Sequence, residues 1–356
     1  MKTIFKITLS YFFIGSSISF AQTNTEIAWS KAKEAIKLID KGQFEEGRKF
    51  LTEAKKLDPD EYTFSYELAY SYYLAKDYET AIKEFEITNK YSKVSAALYQ
   101  EWGNAYDIIG NPKKAFEIYD LGLKLNPKAG VLYLEKGNVY NDRVSGEKAI
   151  PFFEKGIEMD PTFPSNYYRA ALYYLKSTEQ IWGMIYGEIF MNLEPNTERT
   201  VEISKLLFDT YKSQIKITGW GKAQVDFCTK MVMYADEPKR FPFCMTYAST
   251  LLLAIPPETT TIDLSSLNTI RKKFIEEYFF LKRNEMHPNV LFDFLKKVLD
   301  SGHLEAYNYW LLQKGETTEF DKWKVTHDVD WANFGKWLND NNLTLDEAHK
   351  FYQNQY

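Results

Sequence analysis

Cysteine, histidine and net positive charge are what this 356-residue sequence is short of: two Cys, four His, and 44 Lys plus Arg against 49 Asp plus Glu. Two cysteines exclude a disulfide-stapled mini-fold and any four-cysteine metal site. The histidines, His287, His303, His327 and His349, fall in no recognised metal-ligand spacing, and each reads as a surface or helix-end residue. A formal charge of −5 leaves no basic footprint for nucleic acid. There is no His-Glu-x-x-His, Gly-x-Ser-x-Gly, phosphate loop or Cys-x-x-Cys, so no catalytic residue, cofactor or metal is expected, and the chain reads as non-enzymatic. Beyond the first twenty residues no apolar run is long enough to span a bilayer. What is present is apolar and aromatic side chain, 45% and 17% of the residues, enough to fill sizeable cores.

The N-terminus has the order of a secretory leader. Lys2 and Lys6 precede an apolar run that ends in Ser19-Phe20-Ala21. This predicts a signal peptide over residues 1–21 and a mature chain from Gln22, exported to the periplasm or beyond, with no stable membrane insertion after cleavage. No Cys adjoins the cleavage point, so a lipoprotein anchor has nowhere to attach.

The middle of the chain repeats itself every 34 residues. Pro59, Pro127, Pro161 and Pro195 share one column; Ala81, Ala115 and Ala149 a second; Tyr72, Tyr106, Tyr140 and Tyr174 a third; Phe85, Tyr119 and Phe153 a fourth. A small residue where two helices cross, an aromatic in the groove beside it and a proline that stops the second helix describe a helical hairpin. One hairpin leaves an apolar face bare, so neighbours stack. The units run 28–61, 62–95, 96–129, 130–163 and 164–197.

Trp102-Gly103-x-x-Tyr106, followed by Ala115, Tyr119, Gly122 and Pro127, resembles the tetratricopeptide repeat family. The resemblance covers residues 28–197 and implies an all-α, right-handed solenoid of helical hairpins. The outer units depart from the pattern, as capping repeats do: Gly47 replaces the usual Ala, unit two lacks its proline, and Gly183 and Gly187 fill the small and aromatic columns of unit five. Pro151, inside the second helix of unit four, predicts a late start or a kink.

After Pro195 the register fails, since Ile217 and Thr229 stand where a small residue and a proline belong. Helical spacing continues through Leu267, Ile270, Phe274 and Tyr278, then Leu291, Phe294 and Val298, then Leu304, Tyr307 and Leu311. Thr344 with Glu347 reads as a capping box opening a last helix. With no useful strand alternation, residues 198–356 are expected to form a compact all-helical domain. It holds Trp220, Trp310, Trp323, Trp331 and Trp337, which read as core anchors or, alternatively, as a platform for a sugar or peptide. Cys228 and Cys244 lie symmetrically about Asp236, so a turn there between antiparallel helices would let them bridge; two buried free thiols are the other reading.

The resemblance implies that the first helix of each unit lines a concave groove. Its sixth position reads Glu67, Glu101, Glu135 and Arg169; its ninth reads Tyr70, Asn104, Asn138 and Leu172. A carboxylate ladder suits a basic or amine-bearing partner, and asparagine both donates to and accepts from a peptide backbone. The family's best-known clamp on a C-terminal carboxylate is absent, with Gln100 and Leu134, Ala97 and Val131 at its lysine positions, although Arg169 matches its arginine. Tyr66, Glu67, Tyr70, Tyr73, Glu101, Asn104, Glu135, Asn138 and Arg169 are thus the candidate contacts for a protein or extended peptide. The expected function is a non-enzymatic interaction scaffold of the bacterial envelope. Two rivals are a glycan- or ligand-binding module in the Trp-rich half, and an enzyme with a helical active site that carries no known motif.

Overall fold

The computed structural model describes residues 11–228 and 242–356, with side chains from Asn24 onward. The expected leader straddles that limit: residues 1–10 lie outside the described residues, and 11–21 enter only as backbone of the first helix. Among the described residues no helix is long and apolar enough to cross a membrane. The chain divides into two compact units, residues 1–127 and 128–356. The division falls inside the run of repeats, after the third hairpin, not at 197 where the register ends.

The first unit contains α1 (Tyr11–Asp40), α2 (Phe44–Leu57), α3 (Tyr62–Leu74), α4 (Tyr78–Thr88), α5 (Ala96–Ile108) and α6 (Pro112–Leu125). These are three hairpins, and α3 and α5 begin on the first residues of their 34-residue units. Local chemistry sets the boundaries. Asp77 and Asn111 accept hydrogen bonds from the backbone N–H of Thr80 and Lys114, each at 3.2 Å, and Pro112 occupies the first turn where its missing N–H costs nothing. The turns between paired helices sit one period apart in the left-handed region: Gly42 (φ 77°), Lys76 (φ 62°) and Gly110 (φ 83°). The small and aromatic columns meet as the spacing requires. Ala81, Ala115, Phe85 and Tyr119 are fully buried, and a Cβ on Gly103 would fall inside the Tyr119 ring. Gly47 has a similar cause, since a Cβ there would lie 2.6 Å from the Ile39 side chain and 3.0 Å from the Ala35 carbonyl.

The second unit opens with two more hairpins, α7 (Gly130–Arg143) with α8 (Gly146–Met159), and α9 (Pro164–Tyr174) with α10 (Gln180–Leu193). Here α8 corrects the expectation of a late start caused by Pro151. The helix starts on time at Gly146, where the Ser145 hydroxyl accepts from Lys148 N–H at 3.4 Å, and runs through the proline. Pro151 and Glu147 are both exposed, so water can serve the carbonyl left without a donor. The glycines of unit five also have a reason. A Cβ on Gly183 would sit 2.6 Å from the Leu175 backbone nitrogen, and Gly187 faces Ile203 and Leu207 of the next helix, α11 (Glu198–Gln214). An aromatic at 187 would push α11 away. Consequently α10 is enclosed on every side, with Ile181 through Met191 all buried.

After α11 the expectation of helix alone fails. Ile215–Gly219 (β1) and Lys222–Val225 (β2) form an antiparallel hairpin with Ile217 opposite Ala223. Only Ile215, Ile217, Ala223 and Val225 alternate, too few for a sequence reading, and the signal that was available is the turn Thr218-Gly219-Trp220-Gly221 with Gly221 at φ 65°. Then come α12 (Phe243–Ala254), α13 (Leu264–Phe280), α14 (Arg283–Met286), α15 (Val290–Asp300), α16 (Leu304–Leu312), α17 (Thr317–Thr326) and α18 (Asp328–Asp340). The capping box expected at Thr344 and Glu347 opens no helix. Leu343 and Leu345 are both buried, which demands an extended backbone, and Asp346 instead closes a turn by accepting from Ala348 and His349 N–H at 2.8 Å.

Two buried polar clusters tie this unit together. Arg271 on α13 donates to Glu188 of α10 (2.6 Å), Asn308 of α16 (2.7 Å) and Tyr211 of α11 (2.7 Å), while Tyr307 also donates to Glu188 (3.0 Å). Glu154 of α8 accepts from the Tyr174 and Tyr186 hydroxyls at 2.8 and 3.2 Å. Gln353 of the C-terminal segment completes that cluster, its amide donating to Glu154 and accepting from the Trp182 indole, each at 3.0 Å. Cys228 and Cys244 form a disulfide with a Cα–Cα distance of 6.5 Å, but Cys228 follows the hairpin and does not lie on a helix facing α12. The intervening turn about Asp236 lies outside the described residues.

Candidate ligand-binding surfaces

In the first unit, Tyr66, Tyr70 and Tyr73 recur at helical spacing along one side of α3. Their rings stack in order, with centroids 6.0 Å apart at each step and interplanar angles of 8° and 15°. Glu67 lies beside this stack on α3 and Glu101 on the following first helix, α5. Burial, then the Glu101 and Glu67 charges, push the Tyr66 hydroxyl well above its ordinary pKa, and the same causes raise Tyr70. Burial, then the charge of Asp40, raises Glu67 as well. Among the described residues Glu67 makes no hydrogen bond and no ion pair. A half-buried carboxylate beside stacked phenol rings, with a second carboxylate near, is an environment for a cation. Asn104 is partly spoken for, because its side-chain oxygen accepts from the Tyr119 hydroxyl at 2.7 Å. That bond holds the hairpin together from inside.

The second unit presents a different surface. Asn138 donates to Glu135 one turn earlier at 3.1 Å, while among the described residues its own side-chain oxygen is buried without a donor. Arg169 enters an open pocket of about 480 Å³ with Phe153, Leu172, Tyr173 and Lys176. With Arg169 and Lys176 the pocket is positive, so it does not continue the acidic ladder. Lys176 was missed in the sequence although it stands at position 13 of unit five, a groove position in the resembled family; reading that column through the last unit would have found it.

The rivals meet particular obstacles. Trp310 and Trp323 are buried, Trp331 and Trp337 pack against the core, and only Trp220 of the five stands out in solvent, so they form no shared platform. His287 is a helix-end residue, capping α14, but it is fully buried, its ring packed against Phe243 and Tyr356. The cavity walled by Met184, Tyr247, Phe274 and Leu291, with Arg271 and Glu188 at its polar side, encloses about 20 Å³. That is room for roughly one water molecule. Among the described residues no three His, Cys, Asp or Glu side chains gather as a metal site.

No family model matches the chain, and no curated protein matches it. Similar solved structures include Pseudomonas aeruginosa PilF (16% identity, 54% of this chain and 86% of that one, TM-score 0.44). A thermophilic TPR protein of Thermus thermophilus matches at 16% identity over 51% of this chain and 98% of its own, TM-score 0.41. YrrB, described as a TPR protein with an unusual peptide-binding site, matches at 19% identity over 52% and 95%, TM-score 0.35.

Proposed function

We propose that this chain is a non-enzymatic interaction scaffold of the bacterial envelope that holds a protein or extended peptide carrying a basic side chain. The observation that carries the reading is the Tyr66–Tyr70–Tyr73 stack with Glu67 beside it, half-buried and without a counter-ion. A lysine or arginine laid along those rings gains ring-face attraction and supplies the charge Glu67 lacks. Because the helices are already packed, association orders little of the protein, which limits its entropic cost. Export is supported by the leader-like residues 1–21 and by the Cys228–Cys244 disulfide, a bond that persists in oxidising compartments.

The test uses the chain from Gln22 and extended peptides bearing Lys or Arg, each matched to one bearing Glu, read by fluorescence anisotropy. Basic peptides are expected to bind. The double variant Glu67→Lys with Glu101→Lys is expected to weaken them at least tenfold, about 1.4 kcal/mol. Equal affinity of wild type and variant sinks the reading. The same pair of proteins, used as bait in an envelope extract, identifies the natural partner as the one protein that wild type captures and the variant loses.

A further inference from the structure

The β1–β2 hairpin has a surface that the interaction reading leaves unused. Trp220 occupies its tip and is 80% exposed, between Gly219 and Gly221. The tip is braced from behind, Gly221 N–H donating to the Pro257 carbonyl at 2.9 Å and Thr218 to the Lys222 carbonyl at 3.3 Å. Leu252 and Leu253, at the end of α12, add exposed apolar surface, and Leu252 shares a shallow groove with Ile217, Ala223 and Pro257. The strands carry cations. Lys216 and Lys222 are exposed, as is Lys212 at the end of α11, and among the described residues none of the three is in an ion pair. Asp226 and Glu258 are exposed carboxylates near in sequence, and Asp209, also exposed and three residues before Lys212, is paired with Lys205.

We infer that this hairpin docks the chain on an anionic lipid surface. An indole prefers the boundary between headgroups and hydrocarbon, where its ring is sheltered and its N–H stays hydrated. A protruding, braced turn can place the ring there without refolding, and Leu252 and Leu253 can follow it. The three lysines match the negative potential of anionic headgroups, and their attraction is screened by salt. The charge match and the convex shape favour lipid over a glycan, which needs a face for its rings to lie on. Contact is peripheral, since no described helix can span a bilayer.

The experiment is co-sedimentation of residues 22–356 with large unilamellar vesicles of phosphatidylcholine and phosphatidylglycerol (3:1), beside pure phosphatidylcholine. Wild type is expected to partition onto the mixed vesicles, less so in high salt, and W220A and K216E/K222E are expected to lose at least tenfold. Both variants lie at exposed positions and should keep the wild-type melting curve, so the loss is not unfolding. Brominated phospholipid should quench part of the tryptophan fluorescence of wild type and none in W220F. Wild type that ignores both kinds of vesicle, or variants that partition like wild type, overturn the inference.

Discussion

Lys76 shows most clearly how a single residue can obey the repeat and still bear strain. It stands one period from Gly42 and Gly110, in the same left-handed turn, but carries a Cβ that this conformation disfavours. The turn exists because the helices on either side are fixed by packing, not because lysine favours it. Replacing Lys76 with Gly should therefore raise stability by about 0.5–1 kcal/mol, after allowing for the extra freedom glycine gives the unfolded chain. A thermal melt reads the change, and a lowered midpoint would show that the lysine side chain contributes more than its backbone costs. Tyr66, Tyr70 and Tyr73 are legible at this scale because helical spacing alone puts them on one side. The Asn104 bond to Tyr119 was not legible, since it depends on how closely α5 and α6 approach.

Among elements, the hairpins were the readable part. Helices begin at Tyr62, Ala96, Gly130 and Pro164, the first residues of their repeats, because proline, small and aromatic columns are local rules repeated. The C-terminal segment was misread because its conformation answers to distant partners. Leu343, Leu345 and Phe351 are drawn into the core, and Gln353 reaches the Glu154 cluster that joins α8, α9 and α10. Burial raises the Glu154 pKa, a shift opposed in part by the Tyr174 and Tyr186 hydroxyls. The folded chain thus keeps this proton at pH values where the unfolded chain has released it. The resulting stability is complete below the ordinary value near 4.5 and is lost as pH rises through the raised folded value. Glu154→Gln, which keeps the shape without the charge, should melt above wild type at pH 7 and converge with it near pH 4; parallel curves across that range would contradict a raised Glu154.

For the whole molecule, the main feature is that the fourth and fifth repeats share one hydrophobic core with the helices beyond them, from Ala149 through Phe351. Repeat register predicts a boundary at 197, but α10 is buried all round and α11 packs on Gly187, so a chain ended there would bare a long apolar face. Such a fragment should aggregate and bind a hydrophobic dye, as size exclusion and dye fluorescence would show; a monodisperse, cooperatively melting fragment would mean that the repeats close without help. The two units also differ in surface charge, with carboxylates beside the tyrosines of α3 and with Arg169 and Lys176 in the pocket of the second unit.

By itself the sequence determined the helical hairpins, their 34-residue register, their turns and the placing of Tyr66, Glu67 and Tyr70 on one helix, because all of these follow from contacts a few residues apart or one period apart. Tertiary structure alone decided that Glu188 meets Arg271, that His287 is buried, that Cys228, just beyond β2, meets Cys244, and that residues 342–345 form no helix. Those outcomes depend on which surfaces meet across 16 to 200 residues of chain, and no local preference encodes that choice.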